Sequence, residues 1–346
     1  MKKNIKISIV GTGLMGIQHI KAINKSKKAS IHSFVDINKK LLSLLSKKFK
    51  VPIFNSVQEL LKTSKPEAVI VATPNQLHKS QAITFLKSKI PVLLEKPISD
   101  NIQSAKKIIN SAKKNNTPLL IGYHRRHNSI VSKAKKKIES GKLGKIVSAH
   151  VFSWLYKHDS YYKEKWRIKK GGGPLGINLV HDIDLISYLL GPIKYVQAST
   201  SNLIRKFNVE DTATVNLVFN SGALCTLNIS DTIVSPLSYE LTAGENPAYP
   251  ITNQSAYYIG GTRGSIQFPN LKFWHYKNER SWWKNIFYRD ENMKLDNNTL
   301  INQIDHFCEV VLGKTNPKID GNDGLLSLKI FDAIIKSSIT GRKIKI

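Results

Sequence analysis

The chain has 346 residues, enough for two domains with separate cores, and 41% of them are hydrophobic, an ordinary share for a globular protein. No apolar run approaches the roughly 18 to 20 residues that span a bilayer, and Cys225 and Cys308 form neither a CxxC pattern nor a disulfide framework, so buried thiols in a reducing compartment are expected. The formal net charge of +29 raises nucleic acid as a partner, but lysines such as Lys39, Lys47, Lys106 and Lys113 are spread over predicted helix faces and only Lys133 to Lys137 is dense; the excess reads as solvated surface, which argues against nucleic acid and leaves attraction for anionic substrates open.

Met1-Lys2-Lys3-Asn4 leads straight into an apolar strand, which leaves no room for a signal peptide and predicts a cytoplasmic protein with no membrane association. That strand, Ile7 to Val10, runs into Gly11-Thr12-Gly13-Leu14-Met15-Gly16. In a Gly-x-Gly-x-x-Gly turn the first glycine permits the sharp bend, the second lets a pyrophosphate approach the backbone, and the third seats the following helix on the sheet. Phosphates then sit at the helix N-terminus, where unpaired N–H groups and the helix dipole favour negative charge. Some twenty residues on, Asp36 closes the strand Ile31 to Val35, placed to accept hydrogen bonds from an adenosine ribose. A carboxylate there repels a 2′-phosphate, so NAD is expected and NADP disfavoured. Strand, glycines, helix and acid stand in the order that a dinucleotide-binding βαβ unit requires.

Strand and helix patterns then alternate as in a doubly wound parallel sheet. Lys39 to Phe49 predicts a helix, Val51 to Phe54 a short strand, Val57 to Lys62 a short helix, and Ala68 to Ala72 a central strand buried on both faces. A helix from about Leu77 to Ser88, the strand Pro91 to Glu95, the helix Ile102 to Lys114 and the strand Leu119 to Gly122 complete the first domain, residues 1–122. From about Ile146 alternating strands take over. Ala213 to Phe219 and Ala223 to Ile229, joined at Asn220-Ser221-Gly222, form a hairpin pattern, and further strands are expected at Ile193 to Ser201, Ser238 to Ala243, Ala256 to Ile259 and Ser265 to Phe268. The second domain, residues 123–346, is therefore expected to be α/β with an open, mainly antiparallel sheet, its last helix, about 322–340, packing back on the first domain. The aromatic group Phe273-Trp274-His275-Tyr276 with Trp282-Trp283 suits local packing or a lid over substrate.

Glu95-Lys96-Pro97 follows a buried strand and so lies at the carboxyl edge of the sheet, where open α/β folds bind ligands. Pro97 biases Lys96 toward an extended backbone, which frees the ammonium to project into a cleft. Farther on, a helix is expected to begin near Pro174 and end before Gly191-Pro192, with Asn178 and His181 on one face and Asp184 a turn later.

Together with Ala72-Thr73-Pro74-Asn75-x-x-His78, Gly122-Tyr123-His124-Arg125-Arg126, Trp166-Arg167, Gly171-Gly172-Gly173 leading to His181-x-x-Asp184, Asp323-Gly324 and Thr340-Gly341-Arg342, these segments make the chain resemble the glucose-fructose oxidoreductase/inositol dehydrogenase/rhizopine catabolism (Gfo/Idh/MocA) family over essentially its whole length. The resemblance implies an N-terminal Rossmann domain, a C-terminal domain whose sheet face forms a homodimer or homotetramer, and hydride transfer between nicotinamide and a sugar-like small molecule. It places Thr73, Pro74, Asn75, His78, Glu95 and Lys96 at the cofactor, besides the glycine turn and Asp36. It assigns Lys96 and His181 to the reacting oxygen, and the chemistry agrees: an imidazole can take a hydroxyl proton near neutral pH, an ammonium can stabilise the alkoxide, and no metal is needed.

Tyr123, Arg126, Trp166, Arg167 and Asn178 are the further groups expected to meet substrate. Arg126 or Arg167 would suit an anionic group, and either would equally suit a structural ion pair. Asp184 would orient the imidazole or make a structural hydrogen bond. Many catalytic members carry an aspartate four residues before the histidine, where this chain has Ile177 followed by Asn178. That departure leaves two alternatives beside a dehydrogenase: NAD-dependent redox-assisted glycoside cleavage, and a non-catalytic nucleotide-binding regulator.

Overall fold

A parallel strand buried on both faces must be apolar on both, and Ala68–Val71 is such a strand: Val69 and Val71 enter one hydrophobic cluster while Ala68 and Ile70 enter another. The structure, a computed structural model, describes residues 4–169, 171–290 and 298–346; Met1, Lys2 and Lys3, read above for a targeting signal, lie outside the described residues. Six parallel strands, β1 (Ile5–Val10), β2 (Ala29–Val35), β3 (Ile53–Phe54), β4 (Ala68–Val71), β5 (Val92–Leu94) and β6 (Leu119–Ile121), lie in the order β3-β2-β1-β4-β5-β6. The order reverses between β1 and β4, and the crevice outside the carboxyl ends at that point is where such sheets bind ligands. Helices α1 (Leu14–Lys25), α2 (Lys39–Phe49), α3 (Val57–Thr63), α4 (Asn75–Lys87) and α5 (Ile102–Lys114) connect the strands.

The chain divides into two compact units, residues 1–127 with 298–328, and residues 128–297 with 329–346. Residues 298–328, expected from the sequence to belong to the second domain, thus pack with the first. The reason is apolar: Ile304, Phe307 and Cys308 of the helix Thr299–Val311 join Ile7, Ile9, Ile20 and Ile70 in one core cluster, and Ile319 and Leu328 join the other. The start of the last helix, Gly321–Thr340, meets the same unit, with Gly321 against Ile109 and Leu119 and Gly324 against Ile121 and Ile98.

The second unit is built on a nine-stranded sheet: β7 (Ile146–Trp154), β8 (Ile193–Ser201), β9 (Thr212–Phe219), β10 (Leu224–Ser230), β11 (Tyr257–Gly261), β12 (Gly264–Phe268), β13 (Phe273–His275), β14 (Phe287–Arg289) and β15 (Ile344–Lys345). Their order is β14-β13-β12-β11-β7-β10-β9-β8-β15, and only β7 with β10 is parallel. Burial alternates along β9 and β10, so one face carries core residues such as Val215, Leu217, Leu227 and Ile229 while Leu224, Thr226 and Asn216 face outward. One expectation is corrected here. Tyr239–Thr242 is a helical turn, not a strand, because Ser238 caps it by accepting from the Leu241 N–H. The aromatic stretch splits, Phe273–His275 forming a strand while Trp282 and Trp283 stay exposed.

Among the described residues no helix is long and apolar enough to cross a membrane. The seating of residues 298–328 has a direct test. Phe307 is fully buried, so Phe307→Ala should destabilise the first unit by about 3 to 5 kcal/mol in urea unfolding; a change below about 1 kcal/mol would contradict the packing described.

Candidate active site

The glycine turn is shaped by two close approaches. Gly11 has a φ of +89°, and a Cβ there would stand 2.7 Å from the Ala72 carbonyl oxygen; a Cβ on Gly16 would stand 2.1 Å from the Gly11 carbonyl oxygen. Gly13 differs, since a Cβ there would meet nothing within 4 Å. It faces open space at the N-terminus of α1, with Leu14 exposed and Met15 half-buried beside it. No side chain caps that terminus and no acid occupies its first turn, so its N–H groups are left for an anion.

Asp36, at the end of β2, is tied to this turn. Its Oδ2 accepts from the Thr12 N–H at 2.6 Å and the Thr12 hydroxyl at 2.8 Å, and its Oδ1 accepts from the Asn38 N–H at 2.9 Å. Partial burial pushes this carboxyl up, but those donors outweigh it and hold Asp36 below the usual carboxylate range. Thr12 fills both acceptor sites of Oδ2, so a ribose hydroxyl would meet Oδ1. An open glycine, an uncapped helix terminus and an ionised acid at the neighbouring strand end fit a nicotinamide dinucleotide. Gly11, Thr12, Gly13, Leu14, Met15, Gly16 and Asp36 would hold it.

The loops after β4 and β5 form the next part of the first unit. Thr73 donates its hydroxyl to Gln81 Oε1 at 2.6 Å, and Pro74 and half-buried Asn75 open α4. His78 is buried, with Nδ1 at 2.9 Å from the Pro97 carbonyl oxygen and Nε2 at 2.9 Å from that of Thr73. Burial holds its pKa below the ordinary value although both carbonyls favour a protonated ring, and a neutral imidazole can donate to only one of them. His78, expected at the cofactor, is thus buried between the two loops and donates to one of them. Glu95 is buried as well, its Oε1 at 2.7 Å from Nε2 of His19 on α1. Burial raises the Glu95 carboxyl, yet the hydrogen bond from His19 and the charges of His19, His124 and Lys96 keep it below its usual value. Lys96 is half-buried, precedes a cis bond to Pro97, and its main-chain N–H donates to Glu95 Oε2 at 3.1 Å.

Tyr123 and Arg126, expected to meet substrate, are both buried. Tyr123 is buried in the hydrophobic cluster around β4, β5 and β6. Buried Arg126 is ion-paired to Asp323 at 3.2 Å, the structural alternative recognised from the sequence.

In the second unit, Arg167 stacks on Tyr161, its Cζ 3.8 Å from the ring centre, and donates to the Tyr161 carbonyl at 2.7 Å, while Trp166 is exposed. The predicted helix begins as a π turn, Leu175–Leu179, and becomes α-helical at Val180–Leu190. Asn178 lies in that π turn and half-buried His181 on the α-helix after it; insertions of this kind re-aim side chains and are frequent at functional sites. Asp182 accepts from the Tyr257 hydroxyl, and Asp184 is buried.

Asn178 is engaged at both ends of its amide. Its Oδ1 accepts from the Lys157 ammonium at 2.8 Å and its Nδ2 donates to Glu240 Oε1 at 2.9 Å. Lys157 was not singled out in the sequence. It is only 9% exposed, stacks over Tyr161 at 4.8 Å, and lines a cavity of about 490 Å³ with Leu155, Tyr161, Ile177 and Asn178. Burial pushes its ammonium down to about 8, against the opposing pull of Asp231 and Glu240.

The family models match where this geometry leads. Residues 5–123 match the oxidoreductase family model with an NAD-binding Rossmann fold, and residues 131–267 match the Gfo/Idh/MocA C-terminal domain. The chain belongs to the Gfo/Idh/MocA family. It is 29% identical over 226 residues to a myo-inositol 2-dehydrogenase of Thermotoga maritima, covering 64% of this chain and 66% of that one. It is 32% identical over 191 residues to a glucose-6-phosphate 3-dehydrogenase of Bacillus subtilis, covering 53% of each. The match thus spans between about half and two-thirds of the length of these curated relatives. The crystal structure of the WlbA dehydrogenase of Bordetella pertussis in complex with NADH and UDP-GlcNAcA superposes with a TM-score of 0.80 over 99% of both chains at 24% identity, a likeness of fold.

Two outcomes follow from these geometries. Gly16→Ala should cost about 1 to 3 kcal/mol in thermal unfolding through overpacking, whereas Gly13→Ala should leave stability within about 1 kcal/mol and weaken NADH binding measured by fluorescence; equal effects on folding would contradict the glycine roles. For Lys157, the folded pKa of about 8 lies below the ordinary lysine value of 10.5, so between those values the unfolded state binds more protons and stability rises with pH. Relative to Lys157→Met, the unaltered chain should gain up to about 3 kcal/mol from pH 8 to 10.5, and parallel urea titrations that show no such divergence would place Lys157 in water.

Proposed function

We propose that this Gfo/Idh/MocA protein is an NAD-dependent oxidoreductase that acts on a hydroxyl or keto carbon of a sugar, cyclitol, sugar acid or nucleotide sugar. The observation that carries this reading is the open Gly13 at an uncapped helix terminus, beside an Asp36 held ionised. That carboxylate disfavours a 2′-phosphate and therefore NADP. The names of the relatives, an inositol dehydrogenase and a sugar-phosphate dehydrogenase, support the substrate class.

When bound, nicotinamide supplies or accepts the hydride. The residues of this chain handle the proton and the charge. Loss of hydride from an alcohol carbon requires that the hydroxyl proton leave; His181 is the acceptor in this reading, and the Lys96 ammonium stabilises the developing alkoxide. In the reducing direction the same groups work in reverse, His181 returning the proton to the oxygen. Glu95 positions Lys96 through the chain bond and the local field, and His78 holds the loop that follows. Asn178 acts through Lys157, since both ends of its amide are engaged within the protein. The outward face of the second sheet, with Leu224 and the stacked His150, Phe152, Trp154 and Tyr258, suits contact with a second copy of the chain.

Lys96→Met and His181→Asn should each lower turnover at least about 100-fold on a responsive polyol or keto-sugar, followed at the nicotinamide absorbance band, while NADH affinity changes less than about threefold. Full activity in either variant would remove that residue from the chemistry. Net reduction of coenzyme during turnover separates a dehydrogenase from redox-assisted glycoside cleavage, which regenerates it within each cycle.

A further inference from the structure

A buried cation without a carboxylate partner is costly unless a ligand completes it. Lys157 is in that situation. Its ammonium has one hydrogen bond, to the neutral amide of Asn178, and no carboxylate oxygen within ion-pair distance among the described residues. The two nearest acids are committed elsewhere: Asp231 to Arg205 at 2.8 Å and to the Tyr162 hydroxyl, and Glu240 to Asn178 at 2.9 Å. Asp231 and Glu240 still favour the charged ammonium from a distance, and the positive charges of Arg205 and Arg167 oppose them. Ile177, where many family members carry an acid, lines the same cavity with an apolar side chain. The cavity thus pairs an ammonium that touches no carboxylate with apolar walls such as Leu155 and Leu241, and its volume of about 490 Å³ falls within the range of small-ligand sites.

We propose that this cavity receives the carboxylate of a sugar acid, with the Lys157 ammonium as its counter-ion, so that acidic sugars are preferred over neutral ones. The inference rests on the proposed function for the reaction and adds the charge of the substrate. A carboxylate fits better than a phosphate ester, because a single ammonium balances one negative charge and no arginine fork reaches into the cavity. Asn178 is the positioning residue. Glu240 anchors its Nδ2, which fixes its Oδ1 toward Lys157 and aims the ammonium.

The test is calorimetric titration of the full chain, in the presence of NADH, with D-glucuronate, D-glucose and D-glucose 6-phosphate. A charge-assisted contact of the usual strength predicts that D-glucuronate binds about tenfold or more tightly than D-glucose near pH 7. The advantage should disappear by about pH 9.5, because Lys157, lowered to about 8 by burial, loses its proton while glucuronate keeps its charge. The charged and titratable groups around Lys157 and its cavity are Asp231, Glu240, Arg205, Arg167, Tyr156, His158, Tyr161 and Tyr249, and burial raises the Tyr161 hydroxyl. Lys157→Met should reduce the preference to within about twofold, and the pH arm tests the same point in the unaltered protein should that variant fail to fold. Equal binding of the acid and the neutral sugar, a preference that survives in Lys157→Met or at high pH, or tighter binding of the sugar phosphate overturns the inference. NADH binding with no uptake of glucuronate also overturns it and leaves the coenzyme reading in place, whereas glucuronate binding without NADH binding overturns the coenzyme reading alone.

Discussion

The close approach of α1 to the turn that precedes it governs the geometry of the first unit. A Cβ on Gly16 would stand 2.1 Å from the Gly11 carbonyl oxygen, so only glycine lets the helix lie where it does. That placement has two consequences at once. It leaves the N-terminus of α1 uncapped at open Gly13, and it carries His19 inward to meet Glu95 beside Lys96. A single backbone contact thus orients both the anion-binding terminus and the carboxylate next to the proposed catalytic lysine. His78 sits between the carbonyls of Thr73 and Pro97 and, when neutral, donates to one of them.

The second unit uses a different device. Its polar chain Lys157–Asn178–Glu240 runs through one amide whose two ends are chemically distinct, so the direction of every hydrogen bond in it is set. The π turn at Leu175–Leu179 supplies the local change of pitch that brings Asn178 into this chain ahead of His181. Burying an ammonium opposite apolar walls opposes folding, and such sites persist where a ligand uses the charge.

Much of the first unit was legible in the sequence because its signals are local. The apolar strands, the glycine turn and the acid at the end of β2 are read from adjacent residues, and the parallel sheet follows from their alternation with helices. The strand expected at Ser238 to Ala243 was misread for an equally local reason: three alternating apolar or aromatic positions, Tyr239, Leu241 and Ala243, look extended, while one serine hydroxyl that caps Leu241 makes them a helical turn. Tyr123 sits in a motif that borders the sheet edge, but whether such a ring faces ligand or core depends on the neighbours across the sheet.

By itself, then, the sequence determined the Rossmann unit, the mainly antiparallel second sheet and the family, because each depends on spacing along the chain. Tertiary structure alone decided that residues 298–328 complete the first core, that Arg126 is an ion-pair partner, and that Lys157 is a buried cation at a cavity wall. The physical reason is contrast. Among 53 lysines and arginines, one lysine carries no mark in the sequence, and only the groups that surround it in space can remove it from water and make its charge count.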